Sequence, residues 1–108
     1  MTAFVDSLAE VFEAFGPVHA RRMFGGYGIY HDDLMFALVA DDVLYLKADG
    51  QSAAVFDELD LPPFEYEKNG RTMKMSYRQA PEAIFDDPAQ AREWAVRAFE
   101  AALRGRKG

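Results

Sequence analysis

The chain has 108 residues, half of them hydrophobic and 14% aromatic, with no cysteine and a formal net charge of −6. A domain of this size buries roughly 60–70% of the surface that its unfolded chain exposes, so one core can form without disulfides or a metal. The lack of cysteine excludes disulfides, thiolate metal sites and thiol catalysis, and the acidic balance opposes sequence-independent binding to phosphate backbones.

The longest unbroken apolar run, Leu34 to Ala40, is too short for a bilayer-spanning helix by about a factor of three. The start, Met-Thr-Ala-Phe-Val-Asp, has no basic region ahead of an apolar stretch and does not read as a secretory signal. The expected address is the cytoplasm of a prokaryote, with no membrane contact.

In chain order, Phe4, Leu8, Val11, Phe12 and Phe15 fall on one helical stripe, with Asp6, Glu10 and Glu13 on the other side. Gly16-Pro17 stops that helix. From Val18 to Ala48 the pattern is that of strands. Arg21-Arg22-Met23-Phe24 leads through Gly25-Gly26-Tyr27-Gly28 into Ile29-Tyr30, with the glycines read as a bend inside a strand. His31-Asp32-Asp33 reads as a turn. Leu34 to Ala40 and Val43 to Ala48 pair around Asp41-Asp42, which tolerate positive φ. In that register Val39 opposes Leu44, Ala37 opposes Leu46 and Leu38 opposes Tyr45. Phe36 opposes Lys47, leaving Phe36, Leu38 and Tyr45 together on a second apolar face.

Gln51 to Leu59 predicts a short helix, closed by Leu61-Pro62-Pro63. Asn69-Gly70 is the strongest two-residue hairpin signal in the chain. It sets Glu67 against Thr72, Tyr66 against Met73, Glu65 against Lys74 and Phe64 against Met75. Phe64, Tyr66, Met73, Met75 and Tyr77 then share a face, and opposite charges meet on the other. After Ala80-Pro81 the last helix opens with Asp87 as its cap, Pro88 first inside and Gln90 completing a capping box. Ala91, Trp94, Ala95, Ala98, Phe99, Ala102 and Leu103 form its apolar side, and Gly105 ends it. The expected fold class is α+β: two layers in the order α-β-β-β-α-β-β-α, with a mainly antiparallel five-stranded sheet and one domain over 1–108.

Arg21-Arg22-Met23-Phe24-Gly25-Gly26-Tyr27-Gly28-Ile29-Tyr30 resembles the signature of the N-terminal domain of the TfoX/Sxy family. Met35-Phe36-Ala37-Leu38-Val39, Leu44-Tyr45-Leu46-Lys47, Tyr66 and Met75-Ser76-Tyr77-Arg78 followed by Pro81 support the resemblance along nearly the whole chain. The resemblance implies a fold similar to that of type III secretion chaperones. It also implies a regulator of bacterial competence for DNA uptake, acting with a cyclic-AMP receptor protein. Full-length regulators carry a second, C-terminal helical domain that is not within these 108 residues, so a stand-alone, single-domain member is expected. Arg78 stands where a second aromatic is common in the family.

The residues give little for catalysis. Gly25-Gly26-Tyr27-Gly28 lacks the Lys-Ser/Thr of a phosphate loop and has strand-like residues on both sides. His31-Asp32-Asp33 offers too few spaced ligands for a structural metal, with His19 as the one further histidine. Ser7, Ser52 and Ser76 lack a nucleophile elbow. No enzyme activity, cofactor or metal is expected.

Two readings of function follow. The first is a protein-interaction module, engaging a partner such as the transcription machinery and itself a homodimer. Its contacts would come from Arg21, Arg22, Tyr27, Phe36 and Tyr45, together with Lys74 and Arg78, since aromatics and arginine are enriched at interfaces. Met23, Phe24, Gly25, Gly26, Gly28, Asn69 and Gly70 serve as structural signature. The second is direct nucleic-acid binding by a local basic face on an acidic body. Residues 32–67 hold ten acidic groups against Lys47, whereas 68–81 carry Lys68, Arg71, Lys74 and Arg78 with no acid, and Arg97, Arg104, Arg106 and Lys107 follow.

Overall fold

Three two-residue turns, each with both residues in the left-handed region, set up most of the sheet. Asp32 and Asp33 have φ of 50° and 61°, Asp41 and Asp42 52° and 59°, and Asn69 and Gly70 52° and 76°. Positive φ at both positions gives a turn whose twist matches right-handed strands. The computed structural model describes residues 2–23 and 25–106, so Phe24 and Lys107 lie outside the described residues. Among the described residues the elements are α1 (Ala3–Val11), β1 (His19–Met23), β2 (Gly26–His31), β3 (Leu34–Ala40), β4 (Val43–Lys47), α2 (Ala53–Glu58), β5 (Pro63–Lys68), β6 (Arg71–Gln79), a 3-10 turn (Glu82–Phe85) and α3 (Pro88–Arg106).

The strands form one antiparallel sheet in the order β1-β2-β3-β4-β6-β5, which leaves β1 and β5 at its edges. The mixed α+β class stands, but the sheet has six strands where the sequence pattern predicts five. The additional strand comes from the glycine-rich signature. Met23 pairs with Gly26 and His19 with Tyr30, so the chain reverses direction instead of bending within one strand, with Gly25 at φ 79°. Glycine marks both a bulge and a tight reversal, and only the partner strand distinguishes them. Gly26 has to remain bare, because a Cβ there would collide with the carbonyl oxygen of Val39.

The β3–β4 register matches expectation for Ala37↔Leu46, Leu38↔Tyr45 and Val39↔Leu44. In the β5–β6 hairpin Glu65↔Lys74, Tyr66↔Met73 and Glu67↔Thr72 also hold, but the register shifts between Pro63 and Glu65, so Phe64 does not pair simply with Met75. The helices differ mainly at their ends. Thr2 caps α1 by accepting from the Val5 N–H at 3.1 Å. That helix stops at Val11, and Phe12 to Gly16 continue as hydrogen-bonded turns. Asp87 Oδ1 accepts from the N–H groups of Ala89 and Gln90 at 3.0 and 3.3 Å, as a cap should. Gln90 does not close a capping box: its Oε1 accepts from Trp94 Nε1 at 3.2 Å. The helix continues past Gly105 to Arg106.

All three helices lie on one face of the sheet. Leu8 and Phe12, Phe56 of α2, and Ala91, Trp94, Ala95 and Ala98 of α3 join Ile29, Ala37, Val39, Leu44 and Leu46 in one buried cluster. The alanine side of α3 lets its backbone approach the strands closely. Phe36 belongs to this cluster too, which overturns its expected place beside Leu38 and Tyr45. Ile29 pairs with Ala37 but Tyr30 pairs with Met35, so β3 carries one extra residue, Phe36, in a β-bulge. A bulge breaks strict alternation. Phe36 and Ala37 are therefore both fully buried, and the Phe36 ring meets those of Phe12 at 5.6 Å, Phe15 at 5.2 Å and Phe99 at 6.5 Å.

Candidate partner-binding face

The opposite face of the sheet carries no helix among the described residues. Alternation places Tyr30, Met35, Leu38, Tyr45, Phe64, Tyr66, Met73, Met75 and Tyr77 there. Rings and thioethers shield one another. Tyr45 and Phe64 meet edge-on at 5.0 Å, Phe64 and Tyr66 stack at 6.2 Å, and Lys47 Nζ sits 5.1 Å over the Tyr77 ring. Leu38 and Tyr77 are buried as a result. Burial, with the neighbouring Tyr30, pushes the Tyr77 hydroxyl up to about 12, and burial beside Asp41 raises that of Tyr45. Both phenols therefore stay neutral at physiological pH. The hairpin end of the face stays open: Tyr66 and Met73 are each 39% exposed and Met75 36%.

A groove of about 650 Å³ runs across this face. Met23, Gly26 and Leu38 line it together with Phe64, Tyr66 and Met75, and so do the charged residues Asp41, Glu65, Glu67 and Lys68. Its lining joins apolar side chains to three carboxylates. Gly28 makes room for the packing near Met23: a Cβ on it would come within 3.0 Å of the Met23 and Met35 sulfurs.

The residues singled out from sequence scatter. Arg21 lies over the Tyr30 ring at 4.6 Å and reaches Asp33 at 3.8 Å, on edge strand β1. Arg22 is exposed, and Tyr27 packs from the helix side against the core. Phe36 is core, so it cannot touch a partner. Tyr45 does lie on the open face. Lys74 is exposed opposite Glu65 at 4.0 Å. Arg78 holds the fold together instead of facing solvent. Its side chain is 17% exposed and donates to Asp57 Oδ1 at 2.7 Å and to the Leu61 carbonyl at 2.8 Å. Asn69 and Gly70 make the hairpin turn, and Phe24 lies outside the described residues.

The basic segment is thus divided. Arg78 is tied to α2, Arg97 lies 4.5 Å over Trp94, Arg104 is held by Asp49, and Lys68 and Arg71 face each other at the hairpin tip beside Glu67. Among the described residues no group of three or more His, Asp and Glu side chains comes together as metal ligands, and no helix is long and apolar enough to cross a membrane. His31 Nδ1 donates to the Pro17 carbonyl at 2.7 Å while its ring packs on Phe15 and Phe99.

The family model of the TfoX N-terminal domain matches residues 10–102, from within α1 into α3. The chain belongs to this family. The TfoX-type signature read from Arg21 to Tyr30 is, in three dimensions, the β1–β2 reversal at one end of the groove. The chain is 35% identical over 74 residues to the DNA transformation protein TfoX1 of Aliivibrio fischeri, covering 68% of this chain and 35% of that protein. It is 31% identical over 97 residues to Protein Sxy of Escherichia coli, covering 88% of this chain and 46% of that protein. The chain thus spans less than half the length of these curated relatives.

Sequence reasoning finds Leu38, Tyr45 and the hairpin residues Phe64, Tyr66, Met73, Met75 and Tyr77 of this TfoX-family face, but not Tyr30, Met35 or the groove. Met23 and Leu38 line one groove with Phe64 and Tyr66 only because the β5–β6 hairpin follows β4 in the sheet. The one local signal is the two-sided apolar character of β3 and β4, unusual for an antiparallel sheet with one face in water.

Proposed function

We propose that this chain is a non-enzymatic regulatory module that acts by binding another protein through the helix-free face of its sheet. The observation that carries the reading is the grooved surface of methionine and aromatic side chains, with Tyr66, Met73 and Met75 each exposed by a third or more. Contiguous apolar patches of this kind usually mark interaction sites, and such side chains are enriched at interface centres. Membership of the TfoX family supports a role in regulation linked to competence, since one relative is named a DNA transformation protein. Direct nucleic-acid binding is less well supported, because Arg78 and Arg104 are engaged within the fold.

The test is site-specific photocrosslinking in native cells. A benzophenone side chain at Tyr66 or Met73 should yield defined protein adducts that one at the exposed Glu100 of α3 does not. Adducts no different from those at Glu100 would refute the reading.

A further inference from the structure

Three of the chain's own arginines share one kind of setting. Arg21 lies 4.6 Å over the Tyr30 ring with Asp33 at 3.8 Å. Arg97 lies 4.5 Å over Trp94 with Glu93 at 3.7 Å, and Arg78 lies 5.8 Å over Phe56 with Asp57 at 2.7 Å. Each guanidinium has an aromatic ring beneath it and a carboxylate beside it. A guanidinium is planar and weakly hydrated, so it can stack on a ring while its N–H groups fork to oxygen.

The groove supplies the same two components without a cation to join them. Phe64 and Tyr66 stack at 6.2 Å, and Tyr66 is 39% exposed. Asp41, Glu65 and Glu67 line the groove with these rings, against the single basic residue Lys68. Among the described residues no Lys or Arg lies over either ring, and neither Asp41 nor Glu67 is in an ion pair. Glu65 has the long, exposed contact to Lys74 at 4.0 Å, a geometry that stabilises little in water.

We propose that the groove takes an arginine side chain of a partner protein, presented between apolar residues. This rests on the helix-free face being the contact surface. The guanidinium stacks on a ring of the Phe64–Tyr66 pair and donates to the groove carboxylates. A volume of about 650 Å³ holds more than one side chain, so the apolar neighbours of that arginine pack on Met23, Leu38 and Met75. Methionine adapts its shape to such neighbours. Lysine fits less well, because its ammonium is a strongly hydrated point charge that cannot fork to a carboxylate while stacking. Arginine in a desolvated pocket is a common anchor of protein interfaces.

The same charges argue against a second copy of this chain in the groove. A twofold pairing sets one patch against itself. Here it would add three carboxylates from each copy to one interface, on a chain with a net charge of −6.

A labelled nine-residue peptide with one arginine between leucines, and its lysine and citrulline counterparts, test this by fluorescence anisotropy. The arginine peptide should bind at least tenfold more tightly than either. Tyr66→Leu keeps the site apolar but removes the ring, and it should abolish the preference over lysine. Asp41→Asn with Glu65→Gln and Glu67→Gln should abolish the preference over citrulline. Asparagine tolerates the φ of 52° at position 41, so the turn survives. NMR shifts of the Met23 and Met75 methyl groups should move on binding. Equal affinities, a preference that either variant keeps, unmoved methyl signals, or no saturable binding at millimolar peptide overturns the arginine site. If crosslinking at Tyr66 still captures a specific protein in that case, the interaction reading survives and only the anchor is wrong. If both fail, the face is not a docking surface.

Discussion

Asp49 and Arg104, 55 residues apart, form a two-pronged ion pair. Arg104 Nε donates to Asp49 Oδ2 at 2.6 Å, and its Nη2 to Oδ1 at 3.0 Å. Asp49 Oδ1 also accepts from the Gln51 and Ser52 N–H groups at 3.1 Å each, and the Asp49 N–H donates to Ser52 Oγ at 3.0 Å. One carboxylate therefore joins the turn between β4 and α2 to the last turn of α3, where a cation also complements the helix dipole.

This pair makes stability acid-sensitive in a defined window. The Arg104 guanidinium is the main cause that holds the Asp49 carboxyl at about 2, against the usual 3.8. A depressed pKa stabilises the fold above the unfolded value, and that contribution is lost as pH falls from about 4 to about 2. Asp49→Asn should lower the Tm at pH 6 and flatten its decline through this window. Thermal melts from pH 6 to pH 2 check it, and parallel acid profiles for the two proteins would contradict it.

The bulge at Phe36 predicts a contrast between two apolar positions. Phe36→Ala removes a fully buried ring and should cost about 3–5 kcal/mol, and Phe36→Asp should not fold. Met73→Asp, on the open hairpin, should change stability by less than about 1 kcal/mol. Urea denaturation of the variants decides it, and similar losses at both sites would put Phe36 back on the open face.

The hairpin turn depends on Gly70 at φ 76°. Gly70→Val should destabilise by about 1–2 kcal/mol, because a β-branched residue resists the left-handed region. The pair across the same hairpin, Glu65 and Lys74, is long at 4.0 Å and exposed on both sides. A double-mutant cycle with both charges reversed should give a coupling below about 1 kcal/mol. A coupling well above that, or no effect of valine at position 70, would show a different geometry.

With Phe36 in the core, the second apolar face read from Phe36, Leu38 and Tyr45 is smaller than the sequence pattern predicts, and it offers less surface for the expected homodimer to bury. Sedimentation equilibrium at micromolar concentration should give a monomer. A dimer that Tyr66→Glu dissociates would assign the open face to self-association instead.

The divided cations predict weak nucleic-acid binding by the chain itself. At physiological salt, gel shifts should show no sequence-dependent complex. Arg78→Glu should lower stability, because it breaks the bonds to Asp57 and the Leu61 carbonyl. A salt-sensitive, sequence-dependent shift that Lys74→Glu abolishes would reverse this assignment.

What could be read from the residues alone is what a few neighbours decide. Positive φ at Asp41-Asp42 and Asn69-Gly70 is a property of those residues, and it carries the register of two hairpins with it. The Asp87 cap is likewise settled within three residues. Tertiary structure decided the rest, because each remaining feature needs a partner distant in sequence. Whether Gly25-Gly26 bends or reverses depends on β1 finding β2, and the face that Phe36 takes depends on an extra residue against β2. Arg78 and Arg104 looked like free cations until Asp57 and Asp49 were brought beside them. The groove exists only because β6 docks on β4 and leaves β5 at the edge. That arrangement is set by the burial of one sheet face under three helices and not by any local preference of β5.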